Sequence, residues 1–121
     1  MTERTRRPLR IRLFLLFEAL TFLIAATVHF GAFGPAYRHY PAGTAETVIG
    51  GVLLLGLLLS LLRSGWTRPV AIGAQGFALL GTIVGLVTIA IGVGPRTVPD
   101  LVYHLLIIAA LAWGLAVAWR S

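Results

Sequence analysis

The stretch VPDLVYHLLIIAALAWGLAVAW, residues 98–119, decides the fold. From Leu105 to Trp119 it carries no charged side chain, while Asp100, Tyr103 and His104 stand together at its start. A helix needs about 20 predominantly apolar residues to cross the hydrocarbon core of a bilayer. The stretch therefore reads as a membrane span, with Pro99 where a first helical turn tolerates proline. An acid, a phenol and an imidazole at the mouth of such a span are costly unless something uses or satisfies them.

Three more segments upstream meet the same criterion: residues 11–30, 44–62 and 69–93. With 58% hydrophobic and 12% charged residues and a mean hydropathy of +0.91, the composition is that of an integral membrane protein. The expected fold is all-α, a membrane-embedded four-helix bundle forming a single membrane domain over residues 1–121. The turns at 63–68 and 94–97 are short, so helices two, three and four are expected as antiparallel neighbours. The longer piece from Gly31 to Gly43, with Pro35 and Pro41, reads as an ordered loop at the membrane surface.

The net charge of +6 does not point to nucleic acid, because all ten basic residues are arginines and most flank apolar segments. Placed by the rule that positive residues stay in the cytoplasm, Arg4, Arg6, Arg7, Arg10, Arg12, Arg63, Arg68 and Arg120 lie inside, and Arg38 and Arg96 outside. Both termini are thus expected to be cytoplasmic. The first segment is expected to be retained rather than cleaved as a signal peptide, since Glu18 interrupts it and three further spans follow. Many Ala, Gly, Leu and Arg residues without a lysine suggest a bacterial source and its plasma (inner) membrane. The chain has no cysteine, which excludes disulfides, thiolate metal sites and thiol redox chemistry.

Small residues suggest how the helices pack. Ala74, Ala78, Gly81, Gly85, Thr88 and Gly92 make a stripe on helix three, which makes that helix the expected central packing surface. Gly50, Gly51 and Gly56 serve helix two, and Ala110, Gly114 and Ala118 serve helix four. The first partner is the lipid bilayer. A membrane complex or a homo-oligomer through the Gly/Ala faces would use the same contacts.

The polar residues fall into two layers. An outer layer holds His29, His39, Glu46, Asp100, Tyr103 and His104. His29, Glu46, Asp100, Tyr103 and His104 are the ligand-binding candidates, because an apolar slot with a few hydrogen-bonding groups at its mouth suits a quinone or a lipid-like molecule. The bland reading is interfacial: Glu46 and Asp100 sit at helix N-termini, where acids are favoured, and the histidines bond loop carbonyls. No compact metal motif exists, so any metal site would rest on His29, His39 and His104. A haem would need His29 and His104 to face each other as axial ligands. The inner layer is Glu18 with Gln75 at similar depth. Glu18 is expected to be neutral, to pair with Arg12 or Arg68, or to face a wet cavity. No catalytic residue or required cofactor can be named.

The arginine-flanked first helix, the Gly/Pro outer loop and the pattern Glu46-x-x-x-Gly50-Gly51-x-Leu53-Leu54-Leu55-Gly56 resemble the DoxX-like four-helix membrane proteins over roughly residues 9–119. That resemblance implies a plasma-membrane bundle, some of whose members serve as accessory subunits in quinone-dependent oxidation. At the end of helix one, His29-Phe30-Gly31 stands in place of that family's glycine followed by lysine. The chain also resembles small multidrug exporters, which have four helices and a membrane glutamate in helix one. That comparison implies a proton-coupled transporter using Glu18. The leading expectation is a small accessory or lipophile-binding membrane subunit, more an auxiliary protein than an enzyme in its own right.

Overall fold

The computed structural model describes all 121 residues as four long helices and two short 3-10 turns, with no β-strand. Helix α1 spans Glu3–His29, α2 Tyr40–Leu62, α3 Thr67–Ala90 and α4 Val98–Trp119. All four are long and apolar enough to cross a membrane. Phe17, Ile24, Leu55, Leu80, Leu105 and Trp113 point outward and are exposed. An apolar exterior of this extent suits lipid and not water, so the chain is a multi-pass membrane protein.

The helices pack in a ring, α1 against α2, α2 against α3, α3 against α4 and α4 against α1. Helices α1 and α3 also touch across one diagonal, whereas α2 and α4 barely meet across the other. The most extensive contact is between α1 and α2, so helix three shares the central position rather than holding it alone. On α1, Ile11, Leu15, Glu18, Phe22, Ala26 and His29 are buried, at steps of three or four that keep one face of the helix inward. That face carries both Glu18 and His29, with Ala26 buried between them and the neighbouring Ala25 only half-buried.

The small-residue contacts are specific. A Cβ on Gly50 would stand 2.9 Å from Leu23, one on Gly56 3.1 Å from Ala74, and one on Gly81 2.8 Å from Ile49. Gly51 meets nothing within 4 Å. The stripe on α3 stops short of Gly92, which lies beyond the helix with a φ of 88° that an L side chain rarely adopts.

Three boundaries differ most from the reading of the sequence, one of them the end of α3 at Ala90 rather than at residue 93. Helix α1 begins at Glu3, because the arginine-rich segment before the apolar run continues the same helix with its charges exposed. Helix α2 begins at Tyr40 rather than Thr44, because His39 caps it: its Nδ1 accepts the Ala42 N–H at 3.2 Å. The loop is correspondingly shorter, folded by a 3-10 turn at Pro35–Tyr37 and tied back where the His39 N–H donates to the His29 carbonyl at 2.9 Å.

Candidate functional site

The earlier start of α2 carries Glu46 into the bundle. It lies nearly two turns inside the helix, not at its N-terminus, and is buried. Asp100 does sit in a helix N-terminal turn. It is the third residue of α4, in a reciprocal cap in which the Asp100 N–H donates to Thr97 Oγ1 at 3.3 Å. Asp100 Oδ2 accepts the Thr97 N–H at 3.2 Å and the Thr97 hydroxyl.

His29 joins the two acids. Its Nδ1 lies 2.7 Å from Glu46 Oε2 and its Nε2 2.8 Å from Asp100 Oδ1, and all three side chains are buried. One imidazole on α1 thus bridges α2 and α4 across the diagonal where those helices barely touch. Each of the two contacts needs a proton between its heavy atoms. The trio therefore holds two protons, as an imidazolium between two carboxylates or as a neutral ring between a carboxylate and a carboxylic acid. Either arrangement carries one net negative charge, and the N-terminus of α4 favours it at Asp100.

His104 hydrogen-bonds within its own helix, its Nδ1–H donating to the Asp100 carbonyl at 2.7 Å. That bond directs Nε2 towards α3, where a Cβ on Gly85 would stand 3.0 Å from it. Tyr103 packs edge-on against Phe22 with ring centres 6.0 Å apart, and its buried hydroxyl, with no close hydrogen bond, lies beside the Thr21 hydroxyl. His39 has a structural role, as its Nε2–H donates to the Val93 carbonyl at 3.1 Å while Nδ1 caps α2. The outer-layer residues therefore divide into a carboxylate–imidazole–carboxylate bridge, a loop-fastening histidine, and the pair Tyr103 and His104.

Two cavities meet at Tyr103. One, of about 180 Å³, lies among α2, α3 and α4, with Phe22, Glu46, Ile49, Thr82, Tyr103 and His104 on its walls. It reaches the outside of the bundle beside Val84 and Val93, which are exposed. The other, of about 310 Å³, lies in the cleft between α1 and α4 along Thr21, Ala25, Val28 and Tyr103 and is bordered by His29 and Asp100. The bridge thus separates the two spaces, with Glu46 on one and Asp100 on the other.

His29 has no ring nitrogen free to ligate a metal or a haem iron. Both ring nitrogens of His29 already face carboxylates, and a metal or haem iron needs an imidazole lone pair. No group of three or more His, Asp or Glu side chains is placed to hold a metal ion.

At the opposite end of the bundle the arginines make inter-helix ties. Arg12 Nε donates to Ser60 Oγ at 3.2 Å and Arg12 Nη2 to the Ser60 carbonyl at 2.6 Å, while Arg68 Nη2 donates to the Trp119 carbonyl at 3.1 Å. Neither pairs with Glu18, which removes the ion-pair alternative for that side chain, because Ser60 and the Trp119 carbonyl take them. Glu18 and Gln75 are both fully buried. Glu18 Oε1, Glu18 Oε2 and Gln75 Oε1 have no partner. The third component is Gly114, read from the sequence only as a packing residue of helix four: a Cβ there would overlap Gln75 Oε1 and lie 2.7 Å from Glu18 Oε1.

Comparison of the chain with protein-family models, with curated proteins and with solved structures finds no match.

Proposed function

We propose that this chain is a bacterial inner-membrane protein of DoxX-like kind, with both termini in the cytoplasm, that binds the ring-shaped head of a lipophilic molecule such as a quinone. The site is the cavity among α2, α3 and α4. The observation that carries the reading is a cavity with mainly apolar walls on which Glu46 of α2 and Tyr103 and His104 of α4 converge.

Size supports the same class of ligand. A cavity of about 180 Å³ is comparable to the roughly 150 Å³ apolar cavity that holds benzene. It accommodates one ring, and the exposed mouth at Val84 and Val93 leaves a hydrocarbon tail in the lipid. The walls are mainly apolar with a few convergent polar groups, the usual make-up of small-molecule sites.

Native mass spectrometry of the protein released from nanodiscs, with a short-chain quinone added, tests the reading. A one-to-one adduct is expected, weakened in Tyr103→Phe and in His104→Ala. Equal retention by the wild type and both variants would refute it.

A further inference from the structure

We propose that Glu18, Gln75 and Gly114 form a proton-binding site, in which Glu18 is a carboxylic acid whose O–H donates to Gln75 Oε1. This site is independent of the outer cavity and of any lipophile bound there.

The donor inventory leads to the proton. Gln75 Nε2 donates to the Ala71 carbonyl at 3.3 Å. Exchanging the amide nitrogen and oxygen would set two carbonyl oxygens against each other, so the Ala71 contact fixes Oε1 towards Glu18. Three acceptor oxygens then share one buried space: both of Glu18 and the amide oxygen of Gln75. The Thr21 hydroxyl, one turn along α1, donates instead to the Glu18 backbone carbonyl at 2.9 Å. A single proton on Glu18 turns one of the three acceptors into a donor and gives Gln75 Oε1 a partner. It also removes the charge, which matters because an isolated carboxylate inside a membrane is expensive.

No countercharge competes with this assignment. On α1 the nearest basic side chain is Arg12, held by Ser60, and His29 lies eleven residues further on with both nitrogens engaged. The titratable groups of α2, Tyr40 and Glu46, are at the far end. Arg68 of α3 is held by Trp119; on α4, Asp100 and His104 are at the far end, and Tyr103, packed on Phe22 one turn from Glu18, brings no positive charge. Gly114 is what lets α4 close over the pair, since a side chain there would occupy the space of the Gln75 amide. Release of the proton would leave a bare carboxylate under that lid, so it requires α4 to lift or water to enter at Gly114.

Infrared difference spectroscopy of the full chain in nanodiscs tests the site. At neutral pH the wild type is expected to show a carboxylic-acid carbonyl band that shifts on deuterium exchange. Glu18→Gln is expected to abolish it, and Gln75→Leu to move it by removing the acceptor. If Gln75→Leu fails to fold, Gln75→Asn, which draws the amide back by one methylene, must move the band as well. A Glu18 carboxylate band at neutral pH, whether or not it responds to sodium, would overturn the proposal. A carboxylic-acid band that depends on Glu18 yet is unmoved by both Gln75 variants would overturn the pairing. These outcomes are read without a quinone, so failure of the outer-site reading leaves them intact.

Discussion

Glu46 of α2 and Asp100 of α4 hold opposite nitrogens of the His29 imidazole, at 2.7 Å and 2.8 Å. The helices that bear these acids have little direct contact with each other, so the ring supplies the fastening that packing does not. Removing it while leaving both acids buried is expected to be severe, because breaking a buried charged pair costs about 3–5 kcal/mol. Thermal unfolding in detergent should show His29→Ala as the most destabilising single change at this end of the bundle. The triple change that adds Glu46→Gln and Asp100→Asn should recover part of the loss. No recovery would mean that the ring matters for its volume and not for its bonds.

Thr97 acts on the same trio from outside. Its hydroxyl caps α4 and contacts the Asp100 carboxylate. Loss of an N-cap costs about 1 kcal/mol. Thr97→Ala is expected to lower stability by that order and Thr97→Ser to retain it. Equal melting of the two variants would show that the cap contributes nothing.

Glycines at the helix contacts separate two outcomes. Gly114→Ala puts a methyl group into the space of Gln75 Oε1, and such overpacking costs roughly 1–3 kcal/mol. Gly51→Ala meets nothing within 4 Å and gains up to about 1 kcal/mol of helix propensity. Opposite shifts in melting temperature are expected. A neutral Gly114→Ala would contradict the close approach of α4 to Gln75.

His39 is expected to be structural. His39→Ala removes both the α2 cap and the bond to the Val93 carbonyl, while His39→Asn can still cap. Hydrogen exchange should speed up at the first turn of α2 in the alanine variant and stay near wild type in the asparagine variant. Unchanged exchange in both would remove the cap assignment.

Much of this was legible in the sequence and some was not, for physical reasons. The four spans follow from the length and apolarity of residues such as 105–119, since few other structures accept such a run. The depth match between Glu18 and Gln75 follows from counting along two parallel helices, α1 and α3. The bridge at His29 does not, because residue spacing within one helix says nothing about which neighbour sits across a diagonal. Glu46 was expected at the start of its helix, and only the His39 cap, an unusual residue in that role, moves it nearly two turns inside. The partners of Arg12 and Arg68 were also hidden, since backbone carbonyls at helix ends leave no mark in a sequence.

The central claim is that the cavity beside Tyr103 takes a ligand, and Tyr103→Phe tests it most directly. Without ligand, the variant is expected to melt close to the wild type, because the hydroxyl makes no close hydrogen bond. With a short-chain quinone titrated into nanodiscs, it is expected to bind roughly fivefold more weakly, the equivalent of one hydrogen bond of about 1 kcal/mol. A variant that melts lower than wild type without ligand, yet binds the quinone equally well, would contradict the account.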